Sequence, residues 1–160
     1  MAMRTKRNAS LGTMAAVILG AAAALPAWSH HSFALYNADV VKVFTGVVTR
    51  VNPDANHLQI FFAEMNPERK NVIRGADGKP EIWAIEMTGS AQAAADGISV
   101  GTFAPGTIFS GAMHPLRSGE RAGSRVGALF KCPEKKPPEA GKHCDSVEGK
   151  VQLGGGTLTT

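Results

Sequence analysis

The chain has 160 residues and a formal net charge of +4, with 17 Lys and Arg against 13 Asp and Glu. Three of the basic residues, Arg4, Lys6 and Arg7, lie in a short leader free of acidic residues, and without them the balance falls to +1. A nearly neutral body excludes the basic footprint of a nucleic-acid-binding protein, and its length suits one small domain.

The leader reads as a secretory signal over residues 1–29. The three basic residues form its n-region, Leu11–Leu25 (LGTMAAVILGAAAAL) is apolar, and Pro26 breaks the run before a short cleavage region. The apolar stretch is shorter than the ~20 residues that a membrane span needs, so no anchor is expected after cleavage. Ala27 and Ser29 supply small side chains at −3 and −1. Cleavage is therefore expected after Ser29, with His30 as the first residue of a periplasmic or secreted chain.

Residues 30–153 read as one domain of short strands. The β-branched run Val40–Val51 carries Gly46 at its middle, which predicts a bulge or sharp bend there. A turn at Asn52–Asn56 leads into His57–Ala63, where Leu58, Ile60 and Phe62 share one face and His57 falls on the other. Met65–Pro80 is polar, with Asn-Pro and Asp-Gly turn signals, and is expected to be an exposed loop. Glu81–Met87 is a third strand, with Trp83, Ile85 and Met87 on one side. Ser90–Asp96 has a helical composition, a Ser start and a Gly97 stop.

Thr107–Met113 is a fourth strand, ended by His114-Pro115. Arg125–Lys131 is a fifth, and Val147–Leu153 adds an edge strand before a flexible glycine-rich tail over residues 154–160. The pattern predicts a mainly β fold: a small antiparallel barrel of five or six strands with one short helix. A helix between strands three and four makes it OB-like; a β-sandwich is the alternative.

Cys132 and Cys144 are the two cysteines, and in an exported chain they are expected to pair. A metal site of Cys132, His143 and Cys144 is the other arrangement. His143 itself lies in a Lys- and Pro-rich loop and is expected to face solvent.

The ordered motifs resemble an uncharacterised family of small bacterial exported proteins, a domain of unknown function. The resemblance rests on His30-His31-Ser32-Phe33 directly after the leader, Trp83-Ala84-Ile85-Glu86-Met87, Pro105-Gly106, and His114-Pro115-Leu116-Arg117. It covers about residues 30–130 and implies a barrel-like periplasmic domain, without supplying an activity. This chain departs from the family's Asn-Pro-His turn, because Asp54, Ala55 and Asn56 separate Pro53 from His57.

The histidines point to a transition metal. A terminal His30 offers its amine and ring Nδ1 to one ion, and His31 in second place offers amine, amide and imidazole; such donors suit copper among the divalent first-row ions. His114 and His57, each beside a turn, are the candidate ligands from the body. Glu86 and Arg117 are candidate partners that orient an imidazole. Met87 and Met113 are thioether candidates for Cu(I), although Met87 also fits the core.

The residues contain no Gly-x-Ser-x-Gly, Walker loop, His-Glu-x-x-His or dinucleotide glycine run, so an enzyme is not expected. An oxidase on the copper site is the least favoured reading. The expectation is an exported copper carrier, chaperone or buffer, with the metal ion and an envelope protein as partners and no nucleic acid. The alternative is a metal-free interaction module of the cell envelope.

Overall fold

The computed structural model describes residues 33–53, 57–134 and 136–158. The expected leader, His30 and His31 lie outside them, as do Asp54–Asn56 and the last two residues. Six strands and one short helix form the body: β1 (Lys42–Asn52), β2 (Gln59–Glu64), β3 (Ile82–Glu86), α1 (Ser90–Ala95), β4 (Ile108–Pro115), β5 (Ala122–Lys131) and β6 (Val151–Leu153).

The strands run in the order β3-β2-β1-β4-β5-β6, and β3 also pairs with β5, which closes five of them into a barrel. That closing pair is parallel, with Ala84, Ile85 and Glu86 opposite Ala122, Gly123 and Ser124. The barrel is thus mixed, where alternation alone suggested an all-antiparallel one. Its helix lies between β3 and β4, the OB-like position. Helix α1 begins at Ser90, with Gly89 at its N-terminal cap position and Asp96 at its C-terminal one, and is followed by Gly97, whose φ of +77° a side chain would oppose.

Alternation along each strand fills the interior. Phe44, Phe62, Phe109, Ile60, Ile85, Met113 and Leu129 are each at most 1% exposed and form one cluster, sealed by Ala93 of α1 and by Ile98 and Phe103 from the segment between α1 and β4. Phe44 stacks on Phe62 at 4.1 Å, and Phe109 meets both rings edge-on. At Gly46 the β1 backbone passes close against this stack: a Cβ there would overlap Phe62 Cδ2. The bulge itself lies between Val48 and Arg50. The mid-strand glycine therefore marks a close approach, and the break in register follows a few residues later.

A second apolar cluster covers part of the outer face. Met65, Ile108, Ala128 and Phe130 pack with Cys132 and Cys144, and Val47, Val72, Val147 and Leu158 lie against them. The 65–80 segment is consequently more than an exposed loop. Met65 pairs with Val72 and Arg74 with Pro80, and Met65 is 6% exposed. The glycine-rich end also turns back on the body: Gln152 donates to the Gly154 and Gly156 carbonyls. Among the described residues no helix is long and apolar enough to cross a membrane.

Candidate functional site

Register brings the candidate residues of separate strands into one row. Gln59 lies opposite Glu86, Glu86 opposite Ser124, and Ser124 opposite His114. Directly opposed residues share a face, and their neighbours Ile60, Ile85 and Met113 are all fully buried inside. The row therefore runs across the outer surface of β2, β3, β5 and β4. Two strand spacings, about 10 Å, separate the Glu86 and His114 backbones.

Glu86 is the hub of this row. Its carboxylate accepts from Gln59 Nε2 at 3.3 Å, stands 3.4 Å from His57 Nδ1, and is bonded by the Tyr36 phenol. Burial first, and the Glu86 charge second, push the Tyr36 pKa up to about 12. His57 Nδ1 is also 3.4 Å from the Met87 carbonyl. As the alternation required, His57 is turned away from Leu58, Ile60 and Phe62, and its side chain is 35% exposed.

Tyr36 reaches this row because the chain before β1 is zipped to the end of β4. Tyr36 bridges Leu116, the Asn37 N–H donates to the Pro115 carbonyl, and the Arg117 N–H donates to Leu35. A turn over Asn37–Val40 then feeds β1 and delivers the Val40 carbonyl to His114 Nδ1 at 2.8 Å. A carbonyl can only accept, so His114 donates from Nδ1, and in the neutral ring this tautomer makes Nε2 the acceptor.

The remaining candidates lie elsewhere. Arg117 is exposed, and among the described residues its side chain bonds neither Glu86 nor a histidine. The Met87 and Met113 sulfurs are in the core, at 1% and 0% exposure. Cys132 and Cys144 form a disulfide with Cα atoms 4.9 Å apart, which leaves no thiol for a metal site with His143. Among the described residues no group of three or more His, Cys, Asp or Glu side chains converges on a point.

His143 is a correction to the sequence reading, for it is half-buried against β1 rather than in solvent. Its Nδ1 lies 2.8 Å from Thr45 Oγ1, Thr45 Oγ1 lies 2.7 Å from Ser110 Oγ, and Ser110 Oγ accepts from the Cys144 N–H at 2.9 Å. Thr45 and Ser110 are fully buried on the outer face, beneath the disulfide. One polarity satisfies every atom: Ser110 donates to Thr45, and Thr45 donates to Nδ1. Burial first, and the Arg69 guanidinium at 3.5 Å second, hold the His143 pKa below its ordinary value. Arg69, in the left-handed region at φ +58°, also donates to the Lys142, Met65 and Asn66 carbonyls and ties the 65–80 segment to the disulfide loop. Sequence reasoning missed this network, whose only local signal was two hydroxyls amid apolar strands.

An open cavity of about 500 Å³ lies at the opposite end of β4 from His114, lined by Ala104–Ile108, Lys131–Glu134, Gly149 and Val151. Its walls bring no histidine, and it is separate from the Glu86 row.

No curated protein and no solved structure matches the chain. The matched family segment spans residues 18–125 and so takes in the arm, β1 to β4 and the start of β5, while the disulfide and β6 lie beyond it. Over that segment the chain belongs to a family of unknown function, DUF6152.

Proposed function

We propose that this protein is an exported binder of a transition metal, copper, through His30, His31 and His114 with His57 as a further ligand, and that it serves as a carrier, chaperone or buffer. The observation that supports this most directly is the Val40 carbonyl on His114 Nδ1. Such a bond is how ligating imidazoles are fixed in one tautomer with the other nitrogen presented. The zipped arm adds to it. Tyr36 is anchored over the row that contains His114, and six residues of chain span at most about 20 Å. The start proposed at His30 lies six residues before Tyr36 in the sequence.

The test uses the chain that begins at His30. It should take up one Cu(II) with nitrogen hyperfine structure in its EPR spectrum. One alanine added before His30 should cut affinity sharply, because the amine and imidazole no longer belong to one residue. An extension without effect, or N-terminal sequencing that places the start elsewhere, refutes the terminal chelate.

The metal-free interaction module is the second reading. It draws on Leu35, Val40 and Val41, which are 40–51% exposed beside the arm. A stoichiometric envelope partner that is retained in chelator, and lost in Val40→Asp, would favour it.

A further inference from the structure

The Glu86 carboxylate is 22% exposed, and among the described residues its contacts are the Tyr36 phenol, the Gln59 amide and the His57 ring, with no Lys or Arg. The other four ion pairs among the described residues each match an acid with a Lys or Arg. A sheltered carboxylate without a cation favours one from solution. The separation from His57 adds a geometric reason. At 3.4 Å, Nδ1 and Oε1 are too far apart for a good N–H···O bond. They stand about as far apart as two donors that each lie ~2.0–2.1 Å from one tetrahedral ion, which on binding would displace the proton that Nδ1 directs toward Glu86 and the Met87 carbonyl.

The sulfurs give the complementary information. Both cysteines are in the disulfide, Met87 and Met113 are buried in the barrel, and Met65 is 6% exposed under the second cluster. Cu(I) seeks soft thiolate or thioether donors, whereas imidazole and carboxylate suit divalent ions. We infer that Glu86 is itself a ligand, paired with His57, and that this site takes the oxidised divalent ion, Cu(II) or Zn(II), in preference to Cu(I). The inference rests on the metal reading above and assigns Glu86 a direct contact instead of an orienting one. Tyr36 and Gln59 are then positioning residues that hold the carboxylate toward His57.

The test titrates the chain beginning at His30 with Cu(II) and Zn(II), and separately with Cu(I) under reductant, each against a competing chelator of known strength. Glu86→Gln should weaken Cu(II) and Zn(II) roughly tenfold or more and shift the copper d–d band and hyperfine coupling, because one oxygen donor is lost. Glu86→Asp, which keeps the charge, should recover part of the affinity, and circular dichroism checks that both variants fold. If Glu86→Gln lowers affinity but leaves the bound spectrum unchanged, Glu86 only orients and the inference fails. Cu(I) held as tightly as Cu(II) overturns the preference. If wild-type protein responds to the added alanine while Glu86→Gln changes nothing, this inference falls alone; if it binds none of the three ions, both readings fall.

Discussion

Gly46→Ala is a sharp probe of the barrel interior. The added methyl would overlap Phe62 Cδ2, with Phe62 Cε2 and the Ala63 carbonyl each 3.1 Å away. The Phe62 ring has little room to withdraw: it is stacked on Phe44 at 4.1 Å and held edge-on by Phe109 at 5.4 Å. Overpacking of this kind costs about 1–3 kcal/mol, and a wedged ring puts this case near the upper end. Replacing glycine inside a strand returns roughly 0.5–1 kcal/mol through the unfolded chain. The net expectation is a loss of about 2 kcal/mol, or a melting point lower by roughly 6–10 °C for a body of this size. Urea denaturation at constant m measures it. The Phe62→Leu background should relieve part of the cost, with a coupling of about 1 kcal/mol in a double-mutant cycle. A Gly46→Ala change within about 0.5 kcal/mol of wild type would refute the close approach of β1 to the ring stack.

Further outcomes follow from the outer face. Cys132→Ser with Cys144→Ser opens a bridge between residues 12 apart. The chain-entropy model sets the loss at about 3 kcal/mol, and reductant should bring wild type to the same melting point. His143 is held neutral in the fold, with a pKa below its unfolded value. Its contribution is therefore complete above about pH 6.5 and is lost as pH falls through the folded pKa; His143→Gln should flatten that part of the stability profile. Tyr36 is the chain's single tyrosine, so tyrosinate absorbance reports it alone. In metal-free protein the transition should lie near pH 12, and Glu86→Gln should lower it, because a negative neighbour is removed.

How much was legible depended on whether the signal was local. Alternation identified the five barrel strands and put Ile60, Phe62 and Ile85 inside, because one buried face imposes a period of two. It also turned His57 outward, where the structure has it. The parallel closure of β3 on β5 was not legible. Nothing within either strand distinguishes a parallel neighbour from an antiparallel one, and the pairing exists only once the ring forms. The same limit hid the Glu86 row, since the meeting of Gln59, Glu86, Ser124 and His114 depends on three registers at once. His143 was misread because Lys and Pro around it signal exposure, while the Cys132–Cys144 bridge draws that loop down onto Thr45 and Ser110. Gly46 was read correctly as special but for the wrong reason, because a bulge and a close ring contact leave the same residue in the sequence.

The parallel seam also has a consequence for how the chain reaches its native state. Its two edges are separated by the helix, β4 and the intervening turns, and β1 must find β4 across an even longer interval. Such distant pairings place the molecule among slow folders, on the millisecond-to-second scale, with ring closure the expected late event. The sulfur bridge links near neighbours beyond β5 and spans no part of that seam. Its loss should therefore accelerate unfolding while leaving the refolding rate almost unchanged.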